Sequence, residues 1–151
     1  MNRFTIEPGA RARSRGVTLL ELMAVVLIVG ILGTFAVNSY RGYLLRTNRT
    51  EARMALLQIQ ANQEKFFLQN NRYADAAELS LRTTDVPPGL GVPATTPSGH
   101  YTIALVTDPA TVTYIATATA TGGQIADAAA CLTLTINQNG DRDPPGGDCW
   151  R

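Results

Sequence analysis

The chain has 151 residues, a formal net charge of +1, 17% charged residues and 45% hydrophobic ones. That is one domain's worth of chain. Its single histidine leaves only His100 to complete a zinc site with the two cysteines, and no histidine-based catalytic set can be assembled. Residues 71–151 hold four arginines against eight acids, which excludes by count the basic surface that phosphate-driven nucleic-acid binding needs.

The chain opens on a basic segment: Arg3, Arg11, Arg13 and Arg15 stand against Glu7 alone in residues 1–16. Val17 to Val37 follows, 21 residues in which only Glu21 ionises. A helix of that length covers about 31 Å, close to the hydrocarbon thickness of a bilayer. A charge inside such a run costs roughly 2.5–3.5 kcal/mol on insertion scales, so Glu21 needs a partner or a purpose. A basic region before an apolar one is what a secretory signal looks like. Here, however, Asn38-Ser39-Tyr40-Arg41 and strongly helical sequence come next, so the apolar segment reads as retained.

Helical periodicity continues to about residue 70. Leu45, Ala52, Leu56, Ile59, Gln63 and Phe66 make one stripe, with Arg46, Arg49, Arg53, Gln58, Gln60 and Lys65 assigned to the wet face. Residues 17–70 therefore read as one helix of about 80 Å, whose weak points are Gly30 and Gly33. Residues 71–99 are polar and punctuated by Val86-Pro87-Pro88-Gly89 and Pro97-Ser98-Gly99, a connection of the length that is usually functional or interfacial. Strand-like alternation then appears at Tyr101, Ile103 and Leu105, at Val112, Tyr114, Ala116 and Ala118, and at Leu132, Leu134 and Ile136. Asp108-Pro109-Ala110 is the expected hairpin turn, and Thr121-Gly122-Gly123 ends the second strand. Three strands with one apolar face need a cover, which the helical stripe supplies.

Arg15-Gly16-Val17-Thr18-Leu19-Leu20-Glu21-Leu22-Met23 resembles the class III signal of type IV prepilins. Glu64-Lys65-Phe66-Phe67, Asn71-Arg72-Tyr73 and the ending Cys131-Leu132-Thr133-Leu134 to Asp148-Cys149-Trp150 look most like the minor pilins of PilE type. The resemblance implies an α+β architecture, the type IV pilin fold: a long N-terminal helix, transmembrane then amphipathic, packed on a small antiparallel β-sheet with a C-terminal disulfide loop. Carried over by position, residues 1–16 are a leader and residues 17–37 the membrane and filament-core helix. Residues 38–151 are the head, with the amphipathic helix to about 70, the loop 71–99, the sheet 100–137 and the disulfide loop 131–149.

By the same resemblance, a prepilin peptidase cuts after Gly16 and methylates the new amine of Val17. The family usually begins its mature chain with phenylalanine or methionine, and commonly has proline where this chain has Asn38. Glu21 becomes the fifth mature residue and the assembly register. Staggered subunits bring the Val17 amine of one to the Glu21 carboxylate of another, and a wrong register strands a bare charge in an apolar core. In an exported chain, Cys131 and Cys149 read as one disulfide, closing a loop worth about 3 kcal/mol. Asn137, Asn139, Asp141 and Asp143 place oxygens on alternate residues around Gly140, a spacing that suits calcium and equally suits a turn; without a closing glutamate the turn is preferred, and no metal is assigned.

The implied function is structural, with neither enzymatic activity nor a cofactor. The chain is expected to be a subunit, minor by resemblance, of a type IV pilus, supporting pilus biogenesis, twitching motility and adhesion. Its partners would be other pilin subunits, the peptidase and an inner-membrane assembly platform, with nucleic acid not expected. Before assembly it would sit in the inner membrane with its head in the periplasm; afterwards it would belong to a surface pilus. Arg41, Arg46, Arg49 and Arg53 follow the apolar run against the positive-inside rule, so the orientation comes from the resemblance; these arginines would meet acids of neighbouring subunits, or anionic lipid before assembly. Rival readings are a pseudopilin of a type II secretion system, a DNA-uptake pilin, and a singly anchored protein that never polymerises.

Overall fold

The structure, a computed structural model, describes residues 17–86 and 88–150; the leader 1–16 and Gly16 of the expected cleavage site lie outside the described residues. One long helix, α1 (Leu19–Asn70), is followed by strands β1 (Tyr101–Asp108), β2 (Thr113–Ala120), β3 (Thr133–Asn137) and β4 (Arg142–Asp143). Compactness divides the chain into two units, one ending at Asn38 and the other beginning at Ser39.

In the first unit the helix presents its apolar side chains on every side, from Leu19 and Leu20 to Phe35 and Val37, all exposed. A helix apolar all round is a core or membrane element, not the surface helix of a soluble domain. α1 is long and apolar enough to cross a membrane by length and composition. Its helical assignment continues through Gly30, Gly33 and Asn38.

In the second unit the same helix becomes one-sided. Ala52, Leu56, Ile59, Gln63 and Phe66 are buried, as their spacing predicts, and Leu45 is half-buried. The strands form one antiparallel sheet in the order β1-β2-β3-β4. Tyr101, Ile103 and Leu105 of β1, Tyr114, Ala116, Ala118 and Ala120 of β2, and Leu134 and Ile136 of β3 join the helical stripe in one core. The register places Leu105 opposite Ala116 and Ala118 opposite Leu134, so each inward row mixes small and large side chains as close packing requires. Thr102, Ala104, Val106, Ile115, Thr119 and Thr133 alternate with them on the exposed face.

The sheet has a fourth strand where sequence reading expects three. β4 pairs Thr135 with Asp143 and Ile136 with Arg142. Two residues are too short to carry alternation, so only the returning chain reveals it. The hairpin turn lies where expected: the Asp108 carboxylate accepts from the Ala110 amide and the Thr111 hydroxyl, an Asx-type turn.

The connection 71–99 is tied down along its length. Asp75 caps a short 3-10 turn at Ala76–Glu78, and the Glu78 side chain returns to the Asp75 amide. Glu78 is also held by a bidentate pair from Arg72, at 2.6 and 2.8 Å. The chain then doubles back: the amides of Leu90, Gly91 and Val92 donate to the carbonyls of Glu78, Leu81 and Leu79. This return passes so near residues 78–81 that a Cβ on Gly89 would lie inside the Glu78 and Leu81 carbonyl oxygens and the Leu81 Cβ. Backbone cannot yield as a flexible side-chain end can. Gly89→Ala is expected to cost about 3 kcal/mol, read as a lowered denaturant midpoint of the full-length protein in detergent; an unchanged midpoint would refute the close approach.

Candidate functional site

In the first unit, the site begins at the helix start. Leu19 is the first helical residue, so Thr18 stands at the N-cap, and its hydroxyl oxygen accepts from the Glu21 amide at 3.2 Å. Thr18-x-x-Glu21 has the spacing of a capping box. Glu21 lies in the first turn, where the positive end of the helix dipole favours a carboxylate. The carboxylate is exposed and belongs to neither of the head's ion pairs, Arg49–Asp127 and Arg72–Glu78. Val17, the expected new terminus, is described and exposed as well.

In the second unit, polar side chains on the helix flanks hold the loops. Gln63, fully buried, acts as a two-way staple: its Nε2 donates to the Ala74 carbonyl at 2.9 Å and its Oε1 accepts the Ala74 amide at 2.8 Å. The Thr107 hydroxyl of β1 donates to the same carbonyl. Asn62 reaches the Leu90 carbonyl, and Glu51 accepts from the Ser98 amide and hydroxyl.

A second staple fastens the β2–β3 connection. Gln124, also fully buried, donates to the Leu45 carbonyl, the Tyr101 hydroxyl and the Asp127 carboxylate, and accepts from Asn48. Beside it, Arg49 grips Asp127 through both carboxylate oxygens, with 3% of the Asp127 side chain exposed. Burial alone would raise the Asp127 carboxyl; the hydrogen bonds from Arg49, the Ala128 amide and Gln124 outweigh it and hold the group below its ordinary value. Arg49, assigned to the wet face by periodicity, is thus half-buried and engaged.

The disulfide joins Cys131 to Cys149, with a Cα–Cα distance of 5.3 Å. Cys131, Cys149, Arg46, Arg49, Pro144 and Asp148 line a cleft of about 610 Å³. Of the calcium candidates, Asn137 is occupied in a turn: its Oδ1 accepts the Asn139 and Asp141 amides, and its Nδ2 donates to Asp141. Asp143 lies on β4, and Asn139 is exposed on the turn. Among the described residues no three His, Cys, Asp or Glu side chains converge on a metal position. His100 is half-exposed and joins the fold through its carbonyl, which accepts the Thr121 amide.

Thr18, Gln124 and Asp127 are the residues that sequence reading misses. Thr18 carried a legible signal, the Thr-x-x-Glu spacing before an apolar run. Gln124 and Asp127 carried none, because their partners on α1 are more than 75 positions away.

Comparison with known proteins places these features in a family. Residues 38–135 match the family described as "Type IV minor pilin ComP, DNA uptake sequence receptor". Residues 11–37 match the prokaryotic N-terminal methylation motif. The type IV major pilin protein PilA of Myxococcus xanthus is 40% identical over 43% of this chain and 30% of its own length. The type II secretion system core protein G of Pectobacterium carotovorum is 29% identical over 64% of this chain and 62% of its own. The type IV major fimbrial protein FimA of Dichelobacter nodosus is 33% identical over 64% and 53%. The matched region thus spans less than two thirds of the length of each of these relatives. A solved type IV pilin from Shewanella oneidensis shares the fold, with a TM-score of 0.52 over 71% of this chain and 98% of that one, at 20% identity.

The Arg49–Asp127 grip has a pH signature. Asp127 titrates near 3.9 in an unfolded chain and lower when folded, so its contribution is full above about pH 4 and fades as pH falls through the folded value. Asp127→Asn should cost about 2–3 kcal/mol at neutral pH, and the gap to the wild type should narrow below pH 4. Denaturant titrations of the two full-length proteins across pH would read both effects; a gap independent of pH would remove the ionised grip from the account.

Proposed function

Because this chain belongs to the type IV pilin family, we propose that it is a filament subunit, a minor one, made as a membrane-anchored precursor and built into a type IV pilus through its N-terminal helix. The observation that carries this is a helix apolar on all sides with one carboxylate in its capped first turn, within a match to the N-terminal methylation motif. Prepilin peptidase would cut between Gly16 and Val17 and methylate the Val17 amine. The subunit would wait in the inner membrane with its head in the periplasm, where an assembly platform would collect it. Biogenesis of the pilus, twitching motility and adhesion would be the processes it serves.

In water, the 14 exposed large apolar side chains between Val17 and Val37, at roughly 1.5–3 kcal/mol each, make a free subunit untenable, so leaving lipid and packing against neighbours are one event. Glu21 supplies what apolar burial lacks, a direction and a register. Its charge is neutralised where an adjoining Val17 amine meets it, and a slipped neighbour leaves both bare. A core like this is sticky at every offset, but only one offset is electrically tolerable.

A second reading, a DNA receptor, is favoured by the description of the family matched over residues 38–135. Against it stand the acidic count of residues 71–151 and the engagement of two head arginines, Arg72 with Glu78 and Arg142 over the Trp150 ring. The third, a secretion pseudopilin, is favoured by the likeness to core protein G.

Glu21→Ala is expected to insert and fold normally yet enter sheared filaments at least tenfold less than the wild type, since removing one partner strands the other at roughly 3–5 kcal/mol. The wild-type filaments should yield an N-terminal peptide whose mass starts at Val17. Normal incorporation of the variant, or a retained Met1, would sink the register idea. For the DNA reading, the full-length protein in detergent is expected to leave a duplex unretarded in a gel at physiological salt; retardation that disappears as salt rises would establish the receptor instead.

A further inference from the structure

The helix segment just beyond the apolar run carries an unusual set of exposed side chains. Tyr40 and Tyr43 are 62% and 65% exposed, and Arg41 and Arg46 are exposed with them. Neither arginine belongs to the Arg49–Asp127 or the Arg72–Glu78 pair. No acid occurs between Asn38 and Thr50, and Glu51, the next one, is held by Ser98. Two cations and two phenols are therefore left exposed, with no carboxylate on their own stretch of helix.

We propose that Tyr40, Arg41, Tyr43 and Arg46 form an interfacial lock, in which each guanidinium takes the phosphate of an anionic phospholipid on its own side of the helix and the two phenols sit among the headgroups. This rests on the membrane-anchored reading above. Arg41 and Arg46 stand four and nine positions after Val37, a helical reach of about 6 and 13 Å, against a headgroup layer about 5–8 Å deep on each side of the hydrocarbon. Side chains on a helix lean toward its N-terminus. Arg46 therefore reaches back toward the layer that Arg41 already occupies. Tyrosine favours that layer because its ring is apolar and its hydroxyl wet, and a planar guanidinium matches two phosphate oxygens at once. Asp148 shares a cleft with Arg46, so Arg41 carries the larger part. The lock fixes the depth of the waiting subunit and has to open when the chain leaves the membrane.

The test uses the full-length protein in nanodiscs of phosphatidylcholine with a minority of phosphatidylglycerol, after size-exclusion chromatography has confirmed incorporation. Spin-labelled lipids then report how strongly each class is immobilised by the protein. The wild type should prefer phosphatidylglycerol by about fivefold per arginine at low salt. Arg41→Gln/Arg46→Gln should cut the preference at least fivefold, leaving what the leader arginines supply, Arg41→Lys/Arg46→Lys should keep most of the preference, and Lys65→Gln should change nothing. Parity in an incorporated wild type, or a preference undiminished in the glutamine variant, overturns the lock. Loss of filament incorporation in the glutamine variant with lipid preference unchanged assigns the arginines to carboxylates of a neighbouring copy, and also overturns it. Failure of the wild type to enter the nanodisc at all overturns the membrane-anchored reading, and the lock falls with it.

Discussion

Everything in this molecule follows from one helix that has to satisfy two solvents. From Leu19 to Val37 it offers apolar side chains around its whole circumference, and from Ala52 to Phe66 it offers a single buried stripe. The first pattern is tolerable only in lipid or among copies of itself, the second only against a sheet. A single chain can fold the second half and must leave the first unfinished. That unfinished surface is what lipid or neighbouring copies would cover in the proposed assembly.

The folded half is held by polar side chains as much as by its core. Five helix residues fasten loops: Asn48 and Arg49 hold the connection between β2 and β3, and Glu51, Asn62 and Gln63 hold Ser98, Leu90 and Ala74. Buried amides are costly unless partnered, and Gln63 meets that condition with both backbone groups of Ala74, Gln124 with Asn48, Leu45, Tyr101 and Asp127. Apolar packing tolerates small displacements, whereas a two-way amide staple does not.

Helix and sheet also share the electrostatic work unevenly. Arg49 and Arg72 are spent inside the head, on Asp127 and Glu78. Arg41 and Arg46 belong to neither pair and are exposed. Glu21 stands near the N-terminal end of the apolar run, where the helix dipole and the Thr18 cap favour a carboxylate even before any partner arrives. Local structure thus lowers the cost of carrying the charge, and a neighbouring amine would convert it into a register.

The apolar run, its lone acid, the helical stripe and the strand alternation were legible in the residues themselves, because each is a short-range pattern whose period states which face is buried. The family resemblance rested on the same local stretch around Gly16 to Met23. Tertiary structure alone decided the fourth strand, the doubling back of residues 89–92 onto 78–81, and the sequestering of Arg49. Those depend on which distant segments meet: Arg49 looks wet by periodicity until Asp127, 78 positions later, is folded onto it. Periodicity assigns a side chain to a face of its own helix, and only the arrival of another segment determines whether that face meets water.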